Sequence, residues 1–225
     1  MFFAVLLGLP APLKPSHILW INLITDSLPA LALGCDINDK KRLMRVPPRS
    51  QKEGLFHGGG LFFTLFYGFL IAAISVFSYL FLPAALLHSM GRAITPENLG
   101  LALSQPKILI HAQTYAFTVL GLSQLFHALG MRDVDKSFFC MRAGKNRLMA
   151  LAFFLGIALQ LLVTEVPFLV AAFQTARLTL FEWSVLIAVS AVPLAAHELI
   201  VIVRKCLEIK NVDFKRKISY NKGAS

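Results

Sequence analysis

The sequence predicts an all-α protein of the polytopic membrane class: a helix bundle with about five full transmembrane helices and a partial first helix. Of its 225 residues, 56% are hydrophobic, and the mean hydropathy is +0.67, more apolar than is usual for a soluble domain. The apolar residues also form runs long enough to cross a bilayer, which takes about 20 residues of helix. None of the 22 Lys and Arg residues falls inside these runs. The runs lie near 17–34, 60–82, 109–130, 148–165 and 182–203.

The first element is the apolar stretch before Pro10, "MFFAVLLGLP". As a helix it would rise only about 14 Å, roughly half of a bilayer core. It lacks the basic start and the small-residue cleavage site of a signal peptide. We therefore interpret it as the second half of a helix. The Pro-rich segment 9–16 that follows predicts a tight outer turn, so the first two helices should be antiparallel neighbours.

The basic residues divide unequally between the two ends of the predicted helices. Eighteen of them lie in 35–59, 131–147 and 204–225, which share one side of the membrane if the helices alternate. The other side holds Lys14, Arg92, Lys107 and Arg177. The positive-inside rule makes the basic side cytoplasmic. Orientation thus accounts for the net charge of +10, and a nucleic-acid partner is not expected.

Labelling of single cysteines from each side of the membrane tests this topology. In a Cys-free background, positions in 35–59, 131–147 and 204–225 should react with an impermeant thiol reagent only after the cells are opened, because the positive-inside rule retains these loops in the cytoplasm. Labelling of position 140 in intact cells would contradict the prediction.

The segments between and after the predicted helices are expected to differ in conformation. The outer connection 83–108 is predicted to be irregular, and "FLVAAF" within 166–181 is predicted to lie along the membrane surface. Beyond residue 213 the tail is basic and predicted to be disordered. The chain therefore divides into a membrane domain, 1–213, and a basic cytoplasmic tail, 214–225.

The three cysteines all fall on the predicted cytoplasmic side, where thiols stay reduced, and they are not spaced as metal ligands.

Several polar residues in or beside the runs carry weaker signals. We expect Gln160 to form a hydrogen bond between helices and His127 to be a packing residue. Glu165 and Glu182 should be solvated at the outer boundary. The pair His197 and Glu198 should reach the cytoplasmic interface near Arg204 and Lys205.

The most informative stretch is "HILWINLITDSLPALALG", residues 17–34. Asn22, Thr25 and Asp26 stand at i, i+3 and i+4, so a helix presents all three on one face. Their amide, hydroxyl and carboxylate oxygens suit a hard cation such as Ca²⁺ or Mg²⁺, with Na⁺ also compatible, rather than Zn²⁺ or Cu⁺. Pro29 disturbs the helix one turn later. Local unwinding would free main-chain carbonyl groups for coordination.

The alternative is that these residues only hold helices together. Asn and Thr commonly bond between transmembrane helices, and Asp26 would then pair with another polar group. The carboxylate favours an ion site, because an acid near the bilayer centre costs at least about 2.5–3.5 kcal/mol and usually marks an ion or proton path. No Lys or Arg in any predicted span can pair with it.

These residues also carry a family resemblance. The segment "PLKPSHILWINLITDSLPALALG" strongly resembles the sixth transmembrane helix of type II P-type cation pumps of the calcium-transporting kind. Other matches occur in the family's order. The segment "RLMRVPPRSQKEGLF" is similar to the following loop, "TYAFTVLGLSQLFHALGMRD" to the eighth helix, and "LLVTEVPFLVAAFQTARLTLFEW" to the turn between the ninth and tenth helices.

The resemblance implies specific roles. Asn22, Thr25 and Asp26 would be ion ligands, with Ca²⁺ as the leading cargo ahead of Mn²⁺, Na⁺ or Mg²⁺. Gln124 stands where two-site calcium pumps carry a Glu ligand, so the chain looks closer to single-site or secretory-pathway-type pumps. Gln124 could supply a carbonyl oxygen or only a packing hydrogen bond, and both roles stay open. Ser27 and Arg42 also depart from the family pattern, which usually has Gly and an acid there.

The resemblance also implies what this chain cannot do alone. The phosphorylation motif Asp-Lys-Thr-Gly-Thr and the nucleotide-binding loop of such pumps do not occur in the sequence. ATP and Mg²⁺ would act only through other domains, and the chain alone is expected not to hydrolyse ATP. We interpret it as the C-terminal membrane portion of a pump, a multi-pass protein of the plasma membrane if bacterial. Two alternatives are one half of a split pump and a non-catalytic membrane remnant or interaction partner.

Overall fold

The computed structural model describes residues 2–35, 54, 60–133, 136–140 and 147–206. Within these ranges the regular structure is helical, and no strand occurs. The helices are α1 (Phe2–Leu6), α2 (Pro15–Trp20), α3 (Ser27–Gly34), α4 (Gly60–Ser89), α5 (Pro96–Leu103), α6 (Pro106–Gly130), α7 (Arg147–Glu165), α8 (Pro167–Phe173), α9 (Leu180–Ser190) and α10 (192–206). A π-helical turn, Ile21–Thr25, joins α2 to α3, and Phe138–Cys140 forms a 3₁₀ turn.

Three of the described helical stretches have the length and apolar composition needed to cross a membrane: Gly60–Ser89, Arg147–Glu165 and the continuous run Leu180–Cys206. The predicted run 17–34 is instead divided among α2, the π-helical turn and α3. The predicted run 109–130 lies within α6. This helix is long enough to cross a membrane, but its composition is more polar than that of the three stretches named above. The all-helical membrane class is therefore supported, whereas the number of full spans is not established by length and composition.

Helix α6 is more polar because it lies at the centre of the bundle. It packs against α3, α4, α5, α7, α9 and the π-helical turn, and 15 of its 25 residues are buried. Its side chains therefore meet protein rather than lipid, and polar groups there can bond to neighbouring helices. The predicted role of Gln160 is confirmed, since its Nε2 atom donates to Thr118 Oγ1 on α6 at 3.4 Å. The ring of His127 packs 4.4 Å from that of Tyr67.

The outer connections contain more helix than expected. The prediction that 83–108 is irregular is largely wrong, because α4 continues through Pro83 to Ser89 and α5 follows after a short turn. Pro96 and Pro106 each stand at the start of a helix, where the missing N–H has no intrahelical partner to lose. The segment "FLVAAF" forms most of α8, and none of the residues of α8 is buried.

Both outer glutamates are bonded rather than simply solvated. Glu165 Oε1 accepts from Trp183 Nε1 at 3.0 Å and from the Leu178 N–H at 3.3 Å. Glu182 caps the start of α9 by accepting from the Thr179 N–H at 2.6 Å and its hydroxyl at 2.8 Å. The Tyr115 hydroxyl on α6 also donates to Glu182. These carboxylates therefore connect the outer ends of α6, α7 and α9.

His197 and Glu198 also differ from the prediction. His197 is 2% exposed, and its Nε2 atom lies 3.2 Å from the Lys136 carbonyl oxygen. The Glu198 carboxylate accepts from the Ser137 hydroxyl and from the Phe138 N–H, both at 2.6 Å. The two side chains thus turn inward and attach segment 136–138 to α10 instead of reaching toward the tail.

Candidate cation site

The helix that carries the predicted ligands changes its geometry where they occur. After α2, the N–H of Asp26 donates to the Ile21 carbonyl oxygen at 3.1 Å, which is the i to i+5 bond of a π turn. Pro29 has no N–H to offer to the Thr25 carbonyl, and the α-helical pattern resumes with Ala30 donating to Asp26 at 3.2 Å. The expected irregularity is therefore a π-helical widening. Such turns occur frequently at functional sites.

The two faces of this turn have opposite characters. Ile21 is 4% exposed and packs into a cluster with Phe117 of α6 and Val163 of α7. Asn22 and Asp26 are exposed on the surface of the chain. The backbone of Thr25 belongs to the turn, but its side chain lies outside the described part of the structure. The apolar side of the turn thus holds it against the bundle, and its amide and carboxylate stay accessible.

Gln124 lies on the part of α6 that runs beside the π turn and α3. The π turn shares a cluster with Phe117, whereas Ala32 at the end of α3 shares one with Leu129. Since Gln124 stands between Phe117 and Leu129 along α6, it lies level with the segment that holds Asn22 and Asp26. Its side chain is half-buried. The packing therefore places position 124 of α6 beside the segment between Ile21 and Ala32.

The outer end of the turn is anchored by a histidine that sequence reasoning did not single out. His17 is fully buried, and its ring stacks on Phe117 with 4.4 Å between centroids. Its Nε2 atom is 3.0 Å from the Phe173 carbonyl oxygen, and its Nδ1 atom accepts weakly from the Lys14 N–H at 3.5 Å. Because a carbonyl can only accept, Nε2 carries the proton of a neutral ring.

Lys14 extends the same anchor. Its ammonium donates to the Gln174 carbonyl oxygen at 2.9 Å, just after the end of α8. Lys14 and His17 thus attach the start of α2 to the end of α8. The available sequence signal was a capping-box pattern, in which a residue at the third helical position bonds back to the cap. Glu or Gln usually occupies that position, so a histidine there did not indicate a capping box from the sequence alone.

Chemically, the described ligands form only part of a coordination shell. Ca²⁺ takes six to eight oxygen atoms, more than one turn can supply. Within the described ranges, no group of three or more His, Cys, Asp or Glu side chains could hold a metal ion. Asn22 and Asp26 nevertheless expose amide and carboxylate oxygen atoms, which are the ligands that hard cations prefer.

Comparison with known proteins agrees with these features. Residues 10–203 match the sequence model of the family described as "Cation transporting ATPase, C-terminus". Calcium-transporting ATPase 1 of Bacillus cereus is 36% identical over 208 residues, which are 91% of this chain and 22% of that protein. The calcium-transporting ATPase of Bacillus subtilis is 36% identical over 193 residues, 86% of this chain and 19% of that protein.

A eukaryotic relative extends the similarity. An endoplasmic reticulum calcium ATPase of Aspergillus fumigatus is 29% identical over 213 residues, which cover 89% of this chain and 22% of the relative. The chain therefore spans about one fifth of the length of the curated relatives it matches. The family match covers most of the chain, including α2, the π-helical turn and α6. The chain belongs to the family of cation-transporting P-type ATPases and corresponds to the C-terminal membrane region of such a pump.

Proposed function

We propose that this chain contributes part of the Ca²⁺ site, and the helices that support it, to an ATP-driven calcium pump. Asp26 supplies the main negative charge, and Asn22 and Thr25 supply neutral oxygens. Gln124 supplies either a further carbonyl oxygen or a packing hydrogen bond. The observation that carries the proposal is the exposed Asp26 carboxylate, which adjoins a π turn inside an otherwise apolar segment.

Energetic reasoning supports an ion as the partner of this carboxylate. An unpaired acid at membrane depth costs at least about 2.5–3.5 kcal/mol, and a bound cation can offset that cost. The π turn and Pro29 leave main-chain carbonyl groups with altered partners, so backbone oxygens can join the shell. The open face is where the remaining ligands would approach from helices that this chain does not include.

The complete activity requires further partners. The relatives are much longer than this chain, so we assign ATP and Mg²⁺ binding to the N-terminal portion of the pump. We infer that residues 1–213 form the membrane domain, and that 214–225 form a basic tail. In a bacterium the plasma membrane would hold the assembly.

Reconstruction of a complete pump tests the proposal. The chain would replace the matching C-terminal region of a calcium-transporting relative, either fused or co-expressed as a separate polypeptide. Vesicles containing the hybrid should take up Ca²⁺ when ATP is added, and those with the truncated relative alone should not. Parallel assays with Mn²⁺, Na⁺ and Mg²⁺ compare the alternative cargoes. A hybrid that assembles in the membrane but transports none of these ions would contradict the proposal, and uptake only by the co-expressed pair would favour a split pump.

A further inference from the structure

The π turn and α3 lie in a groove between α6 and α7. Both ends of this segment, residues 21–32, are buried, with Ile21 at one end and Ala32 at the other. Each end belongs to an apolar cluster that contains residues of both long helices. The partners of Ile21 include Phe117 of α6 and Val163 of α7, and those of Ala32 include Leu129 of α6 and Ala152 of α7. The width of the groove therefore decides how segment 21–32 is seated.

Between these two clusters, α6 and α7 touch at a glycine. Gly156 of α7 is buried, and a Cβ atom added there would lie 2.6 and 2.9 Å from the two Cδ atoms of Leu125 on α6 and 3.3 Å from its Cγ atom. Leu125 is 1% exposed and belongs to a cluster of residues from α6 and α9. Its side chain cannot swing into solvent, and protein interiors leave few voids. The absence of a side chain at Gly156 therefore allows the two helices their close approach.

This contact lies beside the part of the segment that carries the predicted acid. Leu125 directly follows Gln124, and it stands between the two α6 positions that hold the ends of segment 21–32. Gly156 likewise stands between the two α7 positions. Residues 26–29 are the middle of the segment, so they lie next to the contact of Gly156 with Leu125. Pro29 is buried and Asp26 is exposed, which places the acid on the face that is turned away from the groove.

A buried hydrogen bond fixes the register of the same two helices. Gln160 lies one helical turn from Gly156 on α7, and its Nε2 atom donates to Thr118 Oγ1 on α6 at 3.4 Å. Both side chains are fully buried, so sliding of α7 along α6 would leave polar groups unpaired in the interior. Added volume at Gly156 should therefore separate the helices rather than shift them along each other.

We propose that Gly156 is a positioning residue of the cation site, an inference that rests on the proposed function. Because it admits Leu125 into the surface of α7, the groove stays narrow and segment 21–32 keeps its place against α6. Asp26 is thereby held in position relative to Gln124. A larger residue would widen the groove and displace the segment. Since Ca²⁺ affinity depends on the rigidity of the site, binding would weaken although every ligand remains.

Calcium uptake by the reconstructed pump tests the role of the glycine. Gly156→Ala should raise the half-saturating Ca²⁺ concentration about ten-fold, as expected for overpacking of a tight contact, while uptake at saturating Ca²⁺ stays near the wild-type value. The matched control is Gly68→Ala in α4, where the added methyl group meets no atom within 4 Å, and it should leave the affinity unchanged. An unchanged half-saturating concentration in Gly156→Ala would overturn the proposal.

A second substitution shows whether the effect passes through Leu125. Leu125→Val shortens the side chain that the new methyl group meets, so Gly156→Ala combined with Leu125→Val should recover most of the affinity. Leu122→Val removes the same volume from the same cluster and should not rescue Gly156→Ala. If Gly156→Ala alone does not assemble, the rescued double variant decides the matter. Failure of that variant to assemble or to recover affinity, or equal rescue by Leu122→Val, would contradict the proposal.

A fluorescence measurement on the full chain separates this inference from the proposed function. The sequence contains two tryptophans, so Trp183→Phe leaves Trp20, which precedes the π turn and packs against the cluster of Ile21. In that background, Gly156→Ala should shift the emission of Trp20 to longer wavelength, and Leu125→Val should reverse the shift. A wild-type hybrid without Ca²⁺ uptake would contradict the proposed function, whereas unchanged Trp20 emission would contradict the positioning role.

Discussion

Replacing Asp26 with asparagine should abolish Ca²⁺ uptake by the reconstructed pump. The substitution preserves the size of the side chain but removes the charge that offsets the desolvation of a divalent cation. A partial shell of neutral oxygens cannot compensate, because Ca²⁺ binding depends strongly on the number of charged ligands. The measurement is ATP-dependent Ca²⁺ uptake into vesicles, with the amount of pump in the membrane matched to wild type.

The matched control for this experiment is Thr25→Val. Valine is nearly isosteric with threonine, so the change removes one neutral oxygen and leaves the carboxylate in place. It should weaken the apparent Ca²⁺ affinity while uptake persists at high Ca²⁺. Wild-type uptake by the Asp26→Asn protein would mean that the acid has a structural role, and the proposed assignment of this turn would then be wrong.

Replacing His17 with leucine should destabilise the bundle and weaken the ion site. Leucine leaves the Phe173 carbonyl oxygen without its partner at 3.0 Å and removes the ring that stacks on Phe117. The net contribution of such a hydrogen bond is about 0.5–1.5 kcal/mol, and the lost ring contacts add to it. Thermal unfolding of the purified chain, followed by tryptophan fluorescence, should show a lower midpoint. In the reconstructed pump, the half-saturating Ca²⁺ concentration should rise because the π turn begins one helical turn after His17.

His17→Gln provides the comparison. Its amide N–H can reach toward the same carbonyl, so this variant should recover part of the stability and part of the affinity that leucine loses. If the leucine variant unfolds at the wild-type temperature and transports with wild-type affinity, the contacts of His17 do not stabilise the turn. Partial recovery of both properties by glutamine would assign the effect to the hydrogen bond rather than to the volume of the ring.

The sequence was most informative where one residue suffices to change local chemistry. Pro29, together with the oxygen-bearing Asn22 and Asp26, predicted an irregular helix at this place, and the structure contains a π turn there. The apolar runs predicted a helical membrane protein, and the family comparison supports it. The assignment of Asn22, Thr25 and Asp26 as ligands stays a prediction, which the Asp26→Asn and Thr25→Val variants test.

The sequence was least informative where a polar residue depends on a distant partner. Glu182 bonds to Tyr115, 67 residues away along the chain, and Glu198 bonds to Ser137, 61 residues away. Both acids lie near the ends of apolar runs, where solvation is the natural expectation. Whether a neighbouring helix offers a donor at that height depends on how the helices pack, and local patterns do not contain that information.

The sequence by itself determined the membrane class, the likeness to calcium pumps and the position of the helix irregularity. These properties depend on apolar run length, on a short motif and on the missing N–H of proline, all of which are local. Only the tertiary structure decided that α6 is the central, largely buried helix, that His17 anchors one end of the π turn, and that Glu182 accepts a hydrogen bond from Tyr115. The physical reason is that burial and hydrogen-bond partnership are created by contacts between helices that are far apart in sequence.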